Sequence, residues 1–220
     1  MDERVLQATG LVERAIFTGV GAGAGSPAAA GLAEASHHLD AAEADLALAR
    51  AKVLHAGFLT SGDADPAELS LLERAAVLYR GLGSLPGEAE ALCWAGIYHQ
   101  VVGRDQAAAV PLLDRSRELA ARAGDTLTLS YALRHIGVAH HAAGRLADAR
   151  AALEESTRLR RELGFLPGVA ANLVGLAHVA LGEGRRPDAV ALAEEAHSIA
   201  EMAGATTVSR LADEARRAAG

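Results

Sequence analysis

The sequence predicts an all-α fold, a solenoid of antiparallel helical hairpins, and three observations carry that prediction. First, two glycine series interleave with one shared period: Gly62, Gly103, Gly144 and Gly184 are spaced by 41, 41 and 40 residues, and Gly83, Gly124, Gly164 and Gly204 by 41, 40 and 40. Two turns per period make each repeat a helical hairpin, since glycine commonly ends a helix. Second, the stretches between the glycines carry helical apolar periodicity. Third, aromatic residues are only 3% of the chain while alanine, leucine and glycine dominate, which suits close-packed helices better than a sheet.

Composition narrows the function classes. With 220 residues, half of them apolar, the chain can bury a substantial core. A net charge of -7 works against phosphate backbones and anionic lipid surfaces, so neither nucleic acid nor a membrane is expected as a partner. The single cysteine, Cys93, excludes an intramolecular disulfide and fits a reducing compartment. The start, with Asp2, Glu3 and Arg4, lacks the basic residues and firm apolar run of a secretory signal, and a cytoplasmic location is the expectation.

In chain order, residues 1–38 are expected to hold a helix over 3–18 and a flexible link, "GVGAGAGSPAAAG". Residues 39–204 should hold four hairpins. Asp65, Pro66 and Glu68 supply an N-cap, a first-turn proline and a capping-box acid, while Asp105, Asp125 and Asp148 stand near other helix starts. Pro86 and Pro167 mark hairpin boundaries, whereas Pro111 falls inside a helix and should kink it. Residues 205–220 should form an amphipathic cap, with Val208, Leu211 and Ala215 on one side.

The repeats align residue by residue. Leu92, Ala95, Gly96 and His99, then Ala108 and Leu112, correspond to Leu133, Ile136, Gly137 and His140, then Ala149 and Leu153. The next copy has Leu173, Leu176, Ala177 and Ala180, then Ala189 and Ala193; an earlier one has Ala51, Leu54, His55 and Phe58, then Ala67 and Leu71. This pattern resembles the tetratricopeptide repeat family, in which small residues let paired helices approach closely. The period of about 40 is longer than the family's usual ~34, and the consensus tryptophan and tyrosine are missing. Both the period and the "LRRELG" and "GRLADA" segments are similar to long repeats in the C-terminal arrays of large bacterial transcription activators.

The resemblance implies a right-handed superhelix whose first helices form a concave wall for partners. Counting from the packing positions puts Lys52, Glu90, Cys93, Ile97, Gln100, Tyr131, Arg134, Val138, His141, Ala171, Val174, His178 and Leu181 on that wall. Tyr131, Arg134, His141 and His178 are expected to converge on one ligand, with His99 and His140 packed inside their own hairpins. Arg158, Arg160, Arg161, Arg185 and Arg186 read as a solvated face interleaved with glutamates. Histidine spacing fits no metal site, no glycine-rich loop has phosphate-binding form, and no catalytic constellation is recognisable, so no cofactor and no metal are expected.

The leading expectation is therefore a scaffold or regulatory module that binds a peptide or helix, its own N-terminal segment included. The alternative is a small-molecule sensor or unusual biosynthetic enzyme with a pocket enclosed by the superhelix. A homodimer is compatible with either.

Overall fold

The computed structural model describes residues 2–18 and 25–220, and among them are ten helices and no strand. They are α1 (Glu3–Thr18), α2 (Pro27–Ser61), α3 (Ala67–Gly81), α4 (Leu85–Val101), α5 (Gln106–Ala123), α6 (Thr126–Ala142), α7 (Leu146–Glu162), α8 (Leu166–Gly182), α9 (Arg186–Met202) and α10 (Thr206–Ala219). Four hairpins follow one another, α2/α3, α4/α5, α6/α7 and α8/α9, with α10 laid on α8 and α9 and α1 laid on α2 alone. First helices touch first helices along the array, which makes α2, α4, α6 and α8 one continuous wall.

Local chemistry sets the helix starts. Asp105 accepts the Ala108 amide at 3.0 Å, Asp125 accepts that of Thr128 at 3.1 Å, and Ser84 caps α4 ahead of Pro86. At the other ends, the left-handed turn falls on glycine in every hairpin but one. In the α4/α5 turn Arg104 takes it, at φ 52°, one residue beyond Gly103. That extra residue shifts α5 by one position relative to the expected register.

The hairpin contacts show the shift. A side chain on Gly96 would collide with Leu113 at 2.7 Å and crowd the Ala109 carbonyl at 3.3 Å, so Ala109 and Leu113, not Ala108 and Leu112, face it. A side chain on Gly137 would likewise meet Leu153 at 2.9 Å and the Ala149 carbonyl at 3.2 Å. The buried first-hairpin residues at this place are Glu68 and Leu72, again one position beyond Ala67 and Leu71. Missing Cβ atoms let the helices close until leucine fills the gap. In α8 and α9 the same places hold Ala177 and Ala193, which splits the volume evenly between the two helices.

Three other expectations change. Ser26 caps α2 and Pro27 opens it, so the end of the expected link belongs to a 35-residue helix that runs unbroken through residue 38; residues 19–24 of the link lie outside the described residues. Glu68 is no capping acid: it is buried and meets His55 Nδ1 at 2.8 Å. Pro111 does lie inside α5, as expected. Helix α1 does not fill the groove either, because it packs only along α2.

Candidate functional site

Most wall residues expected from the sequence fall into two pockets and one structural tie, whereas Ile97 is buried in the core and Leu181 packs against the cluster of Ala180, Ala189 and Ala219. The first pocket, about 340 Å³, opens between α2, α4 and α6 and is lined by Lys52, Glu90, Cys93 and Tyr131 together with Trp94, Asp125, Leu127 and Thr128. Lys52 Nζ donates to Glu90 Oε1 at 2.7 Å and stands 5.4 Å from the Trp94 ring centroid. Trp94 in turn tilts against Tyr131, ring to ring at 6.1 Å, and meets buried His55 edge-on at 5.4 Å. An apolar shelf with a charged pair at its rim results.

Cys93 forms part of the floor. Burial pushes its thiol up to about 12, against a lowering by Ser116, so it stays protonated and is no nucleophile at neutral pH.

The second pocket, about 290 Å³, opens between α6, α8 and α10. Arg134, His141 and His178 bring basic groups to it, and Val138, Leu153, Val174 and Leu211 bring apolar walls. No carboxylate lines it. Arg134 is not free in the groove: its Nη1 donates to the Ala171 carbonyl at 2.7 Å and to Asn172 Oδ1 at 3.1 Å, tying α6 to α8. Burial lowers its pKa while Tyr131 raises it; burial, then His141, lowers that of His178.

Tyr131 therefore parts from Arg134, His141 and His178, and the expected four-residue cluster does not form. Arg160, from α7, touches both sides of this division, the Tyr131 ring and Asn172, the partner of Arg134. The sequence placed it on a solvated face, yet it is 1% exposed. Its Nη1 donates to the Gly168 carbonyl at 2.9 Å and Asn172 Oδ1 at 3.1 Å, its Nε to Ser130 Oγ at 3.3 Å, and its guanidinium lies 4.8 Å from the Tyr131 centroid and 5.5 Å from that of Phe165. Nη2 has no hydrogen-bond partner. Burial and the nearby Arg134 pull its pKa down to about 10. Two cations thus share one amide oxygen without a carboxylate, held by carbonyls and aromatic faces. Arg158 and Arg161 do lie exposed, paired with Glu155, Glu162 and Glu195.

Gln100 lines neither pocket. Its Nε2 donates to the His135 carbonyl at 3.0 Å and its Oε1 meets His135 Nδ1 at 2.6 Å, bonding α4 to α6. Burial, then Arg134, holds the His135 pKa well below 6.5, so the neutral ring donates from Nδ1. His140 is half-buried and accepts from Arg145 Nε at 3.0 Å. Trp94, the residue missed on the wall, sits four residues after Glu90 and three before Ile97, a spacing that already placed it on the same face.

A stack of helical hairpins with a pocketed inner wall defines a helical-repeat protein. The sequence model of the tetratricopeptide repeat family matches residues 132–202, most of the third and fourth hairpins, and the expected resemblance is supported over that stretch. Among solved structures the chain is similar to a Podosopora anserina protein described as a kinesin light chain with nearly identical TPR-like repeats. The identity is 16% and the TM-score 0.52, over 80% of this chain and 92% of that one. No curated protein matches the chain. Repeats of this kind mediate protein interactions in general.

Among the described residues no helix is long and apolar enough to cross a membrane, and no group of three or more His, Cys, Asp and Glu side chains could hold a metal ion.

Proposed function

We propose that the chain is a scaffold or regulatory interaction module that holds a peptide or a helix of another protein along its inner wall. An apolar side chain of the partner docks on Trp94 and Tyr131, and a neighbouring part reaches the basic end formed by Arg134, His141 and His178. One observation carries this reading: two open pockets lie on the same wall and share α6, with Tyr131 and Arg134 three residues apart on it. A segment long enough to touch both has a continuous track. A small-molecule sensor or biosynthetic enzyme draws support from the second pocket alone, whose size is near the lower end for small-ligand sites and whose walls are largely apolar. A cytoplasmic setting suits both readings, given the one buried thiol.

The chain has a single tryptophan, so Trp94 emission reports on the first pocket directly. Peptides selected for binding from a display library should shift that emission. Tyr131→Ala and His141→Ala should each weaken them by about tenfold or more, and Arg158→Ala should not. Selected peptides that bind both wall variants like the wild type would sink the groove reading. Small organic ligands that lose binding on His178→Ala while leaving Trp94 emission unmoved would favour the second reading.

A further inference from the structure

The α2 helix presents a face that none of the groove chemistry uses. Its other sides are packed against α3 and α4, burying Ala44, Ala47, Leu48 and Ala51, while α1 packs along its N-terminal half and Ala35, seven residues before Ala42, is buried, so the face is open from about residue 39 onward. On the open side stand Leu32, Leu39, Leu46 and Val53, at 47%, 44%, 52% and 70% exposure, each seven residues from the next. Scattered exposed leucines are ordinary, but four in line at heptad spacing form a seam. Ala42, Ala49 and Ala56 follow the last three by three residues each, half-buried in the first case and exposed in the others. Over residues 39–56 the seam therefore alternates large and small.

We propose that this seam is a homodimer interface in which two α2 helices lie antiparallel, about a dyad between residues 47 and 48. In that register Leu46 of each copy faces Ala49 of the other, Leu39 faces Ala56, and Val53 faces Ala42, so each of these three large side chains meets a small one, while Leu32 falls beyond the end of the other copy's α2. A parallel alignment stacks leucine on leucine and alanine on alanine, leaving alternate bulges and hollows. Charge supports a second copy as the occupant. Glu43 and Arg50 flank the seam on one side, seven residues apart, and the antiparallel register brings each Glu43 beside the other copy's Arg50, twice across the dyad. Arg50 is exposed and without an ion pair among the described residues. Glu43 meets Arg74 at 2.7 Å from a half-exposed position, and a carboxylate with about four acceptor sites has room for a second guanidinium. The inference stands independently of what binds in the groove.

The test is the mass and geometry of the full chain in solution. At a concentration on the order of 100 μM, sedimentation equilibrium should give twice 22.6 kDa. Leu46→Glu should give a monomer with unchanged helical circular dichroism, because it sets two acids beside each other at the dyad. Arg50→Glu should weaken self-association by about tenfold, and Glu43→Arg combined with Arg50→Glu should restore it. Nitroxides on Thr60→Cys should lie roughly 35–40 Å apart, from the 1.5 Å rise per residue; Cys93 is too buried to take the label. A monomeric wild type, a dimer that survives Leu46→Glu, a double charge swap no better than the single one, or a short label distance each overturns the proposal.

Discussion

The first and third hairpins solve the same contact in opposite ways. In the third, Gly137 on α6 faces Ala149 and Leu153 on α7, and the helices close over nothing more than a missing side chain. In the first, the aligned places hold His55 and Glu68, a buried polar pair 2.8 Å apart with one carboxylate oxygen left unpartnered. A glycine and an alanine need no specific partner, whereas a buried histidine and glutamate stabilise the contact only while both are present. One architecture therefore rests on shape in one hairpin and on pairing in another. The family match covers the hairpin built on shape and leaves out the one built on pairing.

Filling the third hairpin's gap should have the largest effect. Gly137→Leu drives side-chain atoms into Leu153 and the Ala149 carbonyl, and calorimetric melting should show a loss of about 3 kcal/mol, at the upper end for overpacking. A variant that melts like the wild type would break the comparison at its root. In the first hairpin Glu68→Ala leaves His55 Nδ1 without its partner and should cost about 1–3 kcal/mol. Replacing both, His55→Gly with Glu68→Ala, rebuilds the third hairpin's pattern and should cost less than the two single changes added together. A double-mutant cycle on urea melts measures that coupling, and a value near zero would mean that the two residues do not act as a pair.

The smallest expected effect concerns the third hairpin's own half-buried histidine. His135, two residues before Gly137, is held by the amide of Gln100 rather than by a carboxylate, with its folded pKa well below 6.5. In acid the unfolded chain takes up a proton there before the folded one does. The stability it contributes is thus present above pH 6.5 and declines as pH falls below it. His135→Gln should flatten this part of the acid dependence between pH 7 and pH 5. Identical pH profiles for variant and wild type would show that this ring is not held neutral.

Much of the fold was legible because it rests on spacing. The glycine periods located every hairpin, and Gly96 and Gly137 sit at the helix contacts where the repeat puts them. Counting failed where the backbone slipped by one residue at Arg104, since a period carries no record of a loop one residue longer. Of the site, the wall positions were readable but their division was not. Arg160 contacts Tyr131 of one pocket and shares Asn172 with Arg134 of the other, and its neighbours Arg158 and Arg161 made it look like part of a solvated run. Yet Leu153, Ser156, Thr157 and Arg160 follow helical spacing, and all four are buried. The type of residue hid what its position disclosed.

The helix α10 has a double duty that bears on modularity. It covers α8 and α9, and its Leu211 also walls the pocket of Arg134, His141 and His178. An array built of equal units can in principle be lengthened by inserting another unit before the cap. Here such an insertion would carry Leu211 a full repeat away and put the first helix of the newcomer in its place. The pocket is therefore defined by the number of repeats as much as by its residues.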